Sequence, residues 1–229
     1  MKKLIILLVG LATVAVMIFS AVQYLQQDFM GLQGGIVWQI SKKQASLENG
    51  WELILINSEY YVPDDYEVKL LTLSNGQQID ERIYPSLQKM FDDMRGQGVY
   101  PTVVSGYRSY EEQKGILEAK YLAYRGEGHK KSRARELALG WVALPGTSEH
   151  QLGIAVDINP DYSVSEGKGV YEWLQANAHR YGFIKRYPEE KSHITGINNE
   201  PWHYRYVGES AAKKIYEQGL CLEEYIDML

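Results

Sequence analysis

The sequence predicts an α+β domain, a small central antiparallel sheet flanked by helices, preceded by a transmembrane helix at the amino terminus. Three observations lead there. One uncharged apolar run, Leu4 to Val22, stands at the start of the 229 residues. After residue 50, short apolar or β-branched segments and amphipathic helical segments interleave without the regular βαβ beat of a doubly wound fold. No internal repeat or second boundary interrupts the chain from Trp51 onward. The resulting division is a signal anchor over 1–23, a stalk or linker over 24–50, and one domain of ordinary size over 51–229.

The elements follow in order. Lys2 and Lys3 precede the apolar run. At a helical rise of ~1.5 Å per residue this run spans ~28 Å, close to a bilayer's hydrocarbon core. It is longer than a secretory h-region, and no small-x-small cleavage site follows it, so an uncleaved anchor is expected. The lysines place the amino terminus in the cytoplasm and the remainder outside, in a single-pass cell-membrane protein; a cleaved, secreted form is the alternative. Gln23, Gln26, Gln27, Gly31, Gly34 and Gly35 give the stalk its unpatterned texture.

Leu53 to Ile56 is a compact apolar segment, expected as a strand. Tyr84 to Arg95 places Leu87, Met90, Phe91 and Met94 at helical spacing, and Gly96 and Gly98 stop it. Thr102 to Val104 is a β-branched strand running into Ser105-Gly106-Tyr107-Arg108. Ser109 and Glu112 have capping-box spacing, so a helix starts there with an apolar stripe of Ile116, Leu117, Tyr121 and Tyr124. Arg125 to Arg135 is basic and glycine-bearing, expected as a surface excursion: a solvated face, or a contact with an anionic wall polymer. Ile154 to Ile158 is a strand. Val170, Trp173, Leu174, Ala178 and Tyr181 mark an amphipathic helix closed by Gly182. Tyr204 to Val207 is a further strand, and a helical tail begins at Ser210.

Composition narrows the function classes. Hydrophobic residues at 45% and charged residues at 23% describe a globular chain rather than a disordered one. A formal charge of −5 argues against nucleic acid as a partner. Cys221 is the single cysteine, which excludes an internal disulfide framework and any multi-cysteine metal site. The 18 tyrosines and 5 tryptophans can build a core or line a groove for an extended polymer.

Two segments carry acids and histidines in suggestive positions. In Ile154–Ile158 side chains alternate, so Ile154, Val156 and Ile158 share a core face while Ala155 and Asp157 share the other. That second face holds a small residue and then a carboxylate, which leaves room beside Asp157. Gly153 permits a sharp turn that folds His150 back to the same side. In the second segment, alternation separates Trp202, Tyr204 and Tyr206 from His203 and Arg205, and Pro201 fixes the backbone after Glu200. Two histidines and one aspartate match a catalytic zinc arrangement of three ligands and an open position for water. Zinc would acidify that water and polarise a carbonyl, and Glu200 would take the proton and pass it to the leaving amine. Each element has a simpler reading: a structural histidine, a turn at Asp157-Ile158-Asn159-Pro160, a surface glutamate before proline. Spacing alone does not choose between them, since no His-Glu-x-x-His signature is present. Of the other histidines, His193 is the one substitute ligand; His129 sits in the basic stretch and His179 lies off its helix's apolar stripe.

Ser148-x-His150-x-x-Gly153-x-Ala155-x-Asp157, followed by Glu200-x-Trp202-His203, resembles the signature of the VanY-type D-alanyl-D-alanine carboxypeptidases. These belong to a wider group of zinc enzymes with lysostaphin-like and hedgehog-like folds. The resemblance extends to Ser105-Gly106-Tyr107-Arg108-Ser109, Tyr181-Gly182-Phe183-Ile184, Arg186-Tyr187-Pro188 and Ile194-Thr195-Gly196-Ile197, across the chain from about Trp51 to its end. It implies zinc as cofactor, His150, Asp157 and His203 as ligands, Glu200 as base, and Arg108 facing substrate. A guanidinium suits a terminal carboxylate or a developing oxyanion. Gln113, one turn after Arg108, is a candidate contact to the same carboxylate. Ser148 is a candidate to hydrogen-bond substrate or orient the metal loop. Trp202 and Tyr187 are candidates for the groove wall or the core. The implied activity is removal of the terminal D-alanine from peptidoglycan stem peptides outside the membrane. L,D-carboxypeptidase or D,D-dipeptidase action on the same stems is the near alternative, and a non-catalytic wall-binding module the distant one.

Overall fold

The structure, a computed structural model, is described over residues 43–229. The expected anchor and most of the expected linker lie outside the described residues. Among the described residues no helix is long and apolar enough to cross a membrane.

The described part begins with β1 (Lys43–Gln44) and β2 (Tyr60–Tyr61), which pair in parallel and tie residues 43 and 44 to the domain. Ala45 is buried in the main core. A hairpin of β3 (Leu70–Thr72) and β4 (Gln78–Asp80) leads to helix α1 (Tyr84–Gly96) and strand β5 (Pro101–Ser105). Helices α2 (Tyr110–Gly126) and α3 (Lys131–Leu139) follow, then β6 (Ala155–Pro160) and α4 (Val170–Asn177). Strand β7 (Phe183–Lys185), the single turn α5 (Ser192–Thr195), β8 (His203–Tyr206), α6 (Glu209–Gln218) and α7 (Leu222–Ile226) complete the order. The central sheet is antiparallel throughout, in the order β5-β6-β8-β7. This is the mixed architecture of small antiparallel sheets and flanking helices expected from the sequence.

One face of this sheet makes the core. Ile154, Val156 and Ile158 pack with Leu87, Met90, Phe91 and Met94 of α1 and with Val170, Trp173 and Leu174 of α4. Each such buried side chain contributes roughly 1.5–3 kcal/mol of transfer free energy. The α2 amino terminus carries the expected capping box: Ser109 Oγ accepts from Glu112 N, and Glu112 accepts from Ser109 N at 2.7 Å. Its buried stripe is Gln113, Leu117 and Tyr121, with Ile116 turned outward. A polar residue therefore takes an inward position, and it does so because it serves the cleft described below.

One expectation needs correction. Leu53 to Ile56 is not a strand. A 3-10 turn over Trp51–Leu53 leads into an irregular stretch with Ile54 and Ile56 fully buried. The carbonyls of Glu52 and Ile54 accept from Arg205 Nη2, at 3.0 and 2.8 Å, in place of a neighbouring strand. Arg125 to Arg135 is mostly exposed, as a surface segment should be, and it is helical at both ends. It holds the end of α2 and the start of α3, whose Ala134 and Ala138 are buried.

A second core under β7 joins Ile184, Val207, Ala211, Ala212 and Ile215 to Leu222 and Tyr225 of α7. From α7, Glu223 reaches Arg186, which donates through Nη1 and Nη2 at 2.8 and 2.6 Å. Burial works to raise the Glu223 carboxyl, and Arg186 outweighs it, holding the group below its ordinary 4.5. Stability from this pair is therefore complete above that value and is lost as pH falls through the lowered one. Glu223→Ala is expected to cost about 3–5 kcal/mol in urea unfolding at neutral pH, because Arg186 stays buried with half its counter-charge removed. The loss should shrink in acid, where the native pair is already failing.

Candidate metal centre and active site

The site lies on the sheet face where β6 and β8 pair. Asp157 stands directly opposite His203 in the register. His150 arrives from a 3-10 turn over Glu149–Leu152 that Gly153 ends in the left-handed region at φ 70°. A Cβ on Gly153 would lie 2.9 Å from Val68 Cγ2 and 3.0 Å from Asp80 N, so only glycine lets this turn dock. The turn is fixed from the other side by the end of β5. His150 Nδ1 donates to the Gly106 carbonyl at 2.7 Å, and Arg108 N donates to the His150 carbonyl at 3.2 Å. A side chain on Gly106 would collide with the Gln78 carbonyl oxygen, so the strand end passes β4 only as glycine.

His150, Asp157 and His203 are all buried, and each offers a ligand atom within 4.8 Å of the other two. Asp157 Oδ1 lies 3.4 Å from His150 Nε2 and 3.0 Å from His203 Nδ1. The imidazole rings meet edge to face, with centroids 4.9 Å apart. Two nitrogens and one carboxylate oxygen converging in a buried pocket is the donor set of a catalytic zinc site. The hydrogen bond from His150 Nδ1 leaves Nε2 free to ligate, as a metal histidine requires.

The electrostatics suit a dication. Burial opposes charge on Asp157, but His150 and His203 hold its carboxyl well below the ordinary value. Burial lowers His150. Burial also works against charge on His203, yet its hydrogen bond to Asp157 and the facing Glu149 carboxylate push it up to about 9. Metal binding at this pocket therefore displaces a proton, and affinity rises with pH.

Glu200 and Arg108 approach from different edges. Glu200 Oε2 is 3.7 Å from His203 Nδ1, held by a turn in which Glu200 N donates to the Tyr187 carbonyl and His203 N to the Glu200 carbonyl. Burial pushes the Glu200 carboxyl up to about 7. Arg108 donates from Nη2 to Asp157 Oδ2 at 2.7 Å, from Nε to Ser105 Oγ at 2.8 Å and from Nη1 to Gln113 Oε1 at 3.4 Å. Gln113 is buried and donates to the Ala143 carbonyl at 2.8 Å. Ser148 is buried at the cleft wall, which Trp141 and Trp202 also line. Tyr187 packs on the His203 ring, 4.9 Å between centroids, so it serves both wall and core.

All seven candidate residues thus meet in one cleft. The remaining histidines do not. His193 is exposed outside the cluster, His129 lies 3.6 Å from Glu127, and His179 stacks on Tyr216. Sequence reasoning missed Glu149, Arg186 and Arg205, which sit fully buried behind the metal site. Arg205 carried a legible signal, since alternation puts it on the His203 face of an otherwise aromatic strand.

A family model described as VanY, D-alanyl-D-alanine carboxypeptidase, matches residues 76–209, a segment that contains every residue of this cleft. A D-alanyl-D-alanine carboxypeptidase of Enterococcus faecalis (strain ATCC 700802 / V583) is 55% identical over 185 residues, spanning 81% of this chain and 69% of the relative. A mutant of the vancomycin resistance D,D-pentapeptidase VanY from a VanB-type cassette, in complex with Zn(II), superposes with a TM-score of 0.75 at 56% identity, covering 77% of this chain and 99% of that one. VanYB in complex with D-alanine-D-alanine gives 0.76 at 56% identity, covering 77% and 98%. A zinc-fitting pocket in the fold of a zinc-bound relative leaves one assignment: the chain belongs to the VanY family of D-alanyl-D-alanine carboxypeptidases and is a zinc metallopeptidase.

Proposed function

We propose that this protein removes the terminal D-alanine from peptidoglycan stem peptides, with Glu200 as general base and Arg108 as the cation that receives the substrate's carboxylate or developing oxyanion. The observation that carries the reading is the placement of Glu200 at the His203 edge and Arg108 at the Asp157 edge of one buried three-ligand pocket. When bound, zinc supplies Lewis acidity, acidifying water and polarising the scissile carbonyl. The chain's own residues do the rest. Glu200, its proton affinity raised toward neutrality by burial, accepts a proton and returns it to the leaving amine. Arg108 has five N–H donors, of which three are committed to Ser105, Gln113 and Asp157. One N–H on each terminal nitrogen remains for substrate. Gln113, tied to Ala143, orients that guanidinium, and Ser148 and Trp202 narrow the cleft beside it.

A wall-binding module would have no use for a buried base beside the metal, and Glu200 therefore favours an enzyme. The lysines and apolar run at the start of the chain favour a single-pass anchor that holds this domain outside the cytoplasmic membrane. A side-by-side assay of pentapeptide, tetrapeptide and tripeptide stems, together with free D-alanyl-D-alanine, tests the substrate. D-alanine should appear from the pentapeptide. Release from the tetrapeptide alone would make the protein an L,D-carboxypeptidase, and cleavage of the free dipeptide alone a dipeptidase; either result rejects the proposal.

A further inference from the structure

Behind the cleft, a second layer of charge is closed to solvent. Glu149 Oε1 accepts from Arg186 Nε at 2.8 Å and from Arg205 Nη1 at 2.9 Å, with all three side chains fully buried. Arg186 is paired on its far side with Glu223, while Arg205 also donates to the carbonyls of Glu52, Ile54 and Tyr206. Two carboxylates and two guanidiniums balance, so the cluster is neutral by itself, as a buried ionic group must nearly be. Glu149 Oε2 is the member left over. It lies 3.6 Å from His203 Nε2. Both atoms are buried, and among the described residues neither has a hydrogen-bond partner.

Buried polar atoms are rarely left unmade, because each costs its full desolvation. Here two such atoms face one another, one an acceptor only and the other able to donate. His203 must present Nδ1 without a proton to the pocket where Asp157 and His150 converge, so its proton belongs on Nε2. His150 solves the same problem with a backbone carbonyl, through its hydrogen bond to Gly106. For His203 the corresponding acceptor is a carboxylate.

We propose that Glu149 is a positioning residue for the metal centre: clamped on Oε1 by Arg186 and Arg205, it uses Oε2 to hold the His203 proton on Nε2 and so aims Nδ1 at the metal. The inference rests on the assignment of His203 as a ligand. Glu149 is absent from the cleft lining, so it acts through His203 and not on substrate. The alternative is that Glu149 only neutralises the two arginines.

The two roles part in Glu149→Gln. The arginines would hold the amide oxygen, which turns the amide NH2 toward His203 Nε2, donor against donor. That favours the proton on Nδ1, the nitrogen the metal needs. Zinc affinity, measured by competition with a chelator, should fall 10- to 100-fold, while the KM for pentapeptide at saturating zinc is unchanged. A folded variant with wild-type zinc affinity would overturn the proposal. Should the variant fail to fold, nitrogen-15 histidine spectra of the wild-type protein decide. With zinc loaded, His203 should show a metal-bound Nδ1 and a slowly exchanging, downfield Nε2 proton. A metal-bound Nδ1 with a freely exchanging Nε2 proton rejects the role of Glu149 while sparing the metal assignment. Spectra of His203 indifferent to zinc reject both.

Discussion

Replacing Glu200 with alanine is expected to lower kcat for D-alanine release about 10²–10⁴-fold, the range for loss of a positioned general base. Zinc stoichiometry and the affinity for a peptide ligand should stay close to wild type. The size of the loss follows from the lack of a substitute. Asp157 is committed to the metal pocket and paired with Arg108 at 2.7 Å. Glu149 is fully buried and carries two guanidiniums on one oxygen. Neither carboxylate can take over proton transfer in the cleft. Glu200→Gln should lose nearly as much, because it keeps the shape and removes only the basicity. Wild-type turnover in either variant would mean that the base is elsewhere.

The second large effect is at Arg108. Arg108→Ala should lower kcat/KM by about 10²–10³-fold, comparable to removing one oxyanion donor. Arg108→Lys should recover little of it. The guanidinium bridges Ser105, Gln113 and Asp157 with three of its donors while keeping others for substrate. An ammonium is a point charge that cannot span that set. Steady-state kinetics on both variants, with zinc content measured in each, checks this. A lysine variant at wild-type kcat/KM would show that charge alone suffices and that the forked geometry is incidental.

The catalytic face was legible in the sequence because it obeys local rules. Period-two alternation put Asp157 on the face opposite Ile154, Val156 and Ile158, and those three are core residues. The Ser109–Glu112 capping box fixed where α2 begins, hence the position of Gln113 one turn behind Arg108. Alternation along β8 likewise separated His203 from Tyr204. What local rules could not supply was pairing between distant segments. His150 and His203 meet only because β6 and β8 are neighbours in the sheet. The motif resemblance stood in for that topology.

What the sequence did not show has the same origin. Leu53–Ile56 has a strand's composition, but the Ile54 carbonyl is taken by Arg205, a residue 151 positions away. The charge of Arg125–Arg135 masked the small buried face of α3 formed by Ala134 and Ala138. Glu149, Arg186 and Glu223 are recruited from three segments, successive members 37 residues apart. Singly, each is an ordinary charged residue; only the tertiary fold makes them a buried cluster behind His203.

The proposed function requires that His150, Asp157 and His203 hold the zinc on which D-alanine release depends. Its most direct test is a titration of zinc-free protein with zinc, following D-alanine released from a pentapeptide stem. Release should begin from background, rise linearly and saturate at about one zinc per chain, as one site with three protein ligands requires. Full release by the zinc-free protein, or saturation unaltered when Asp157 is replaced by alanine, would contradict it.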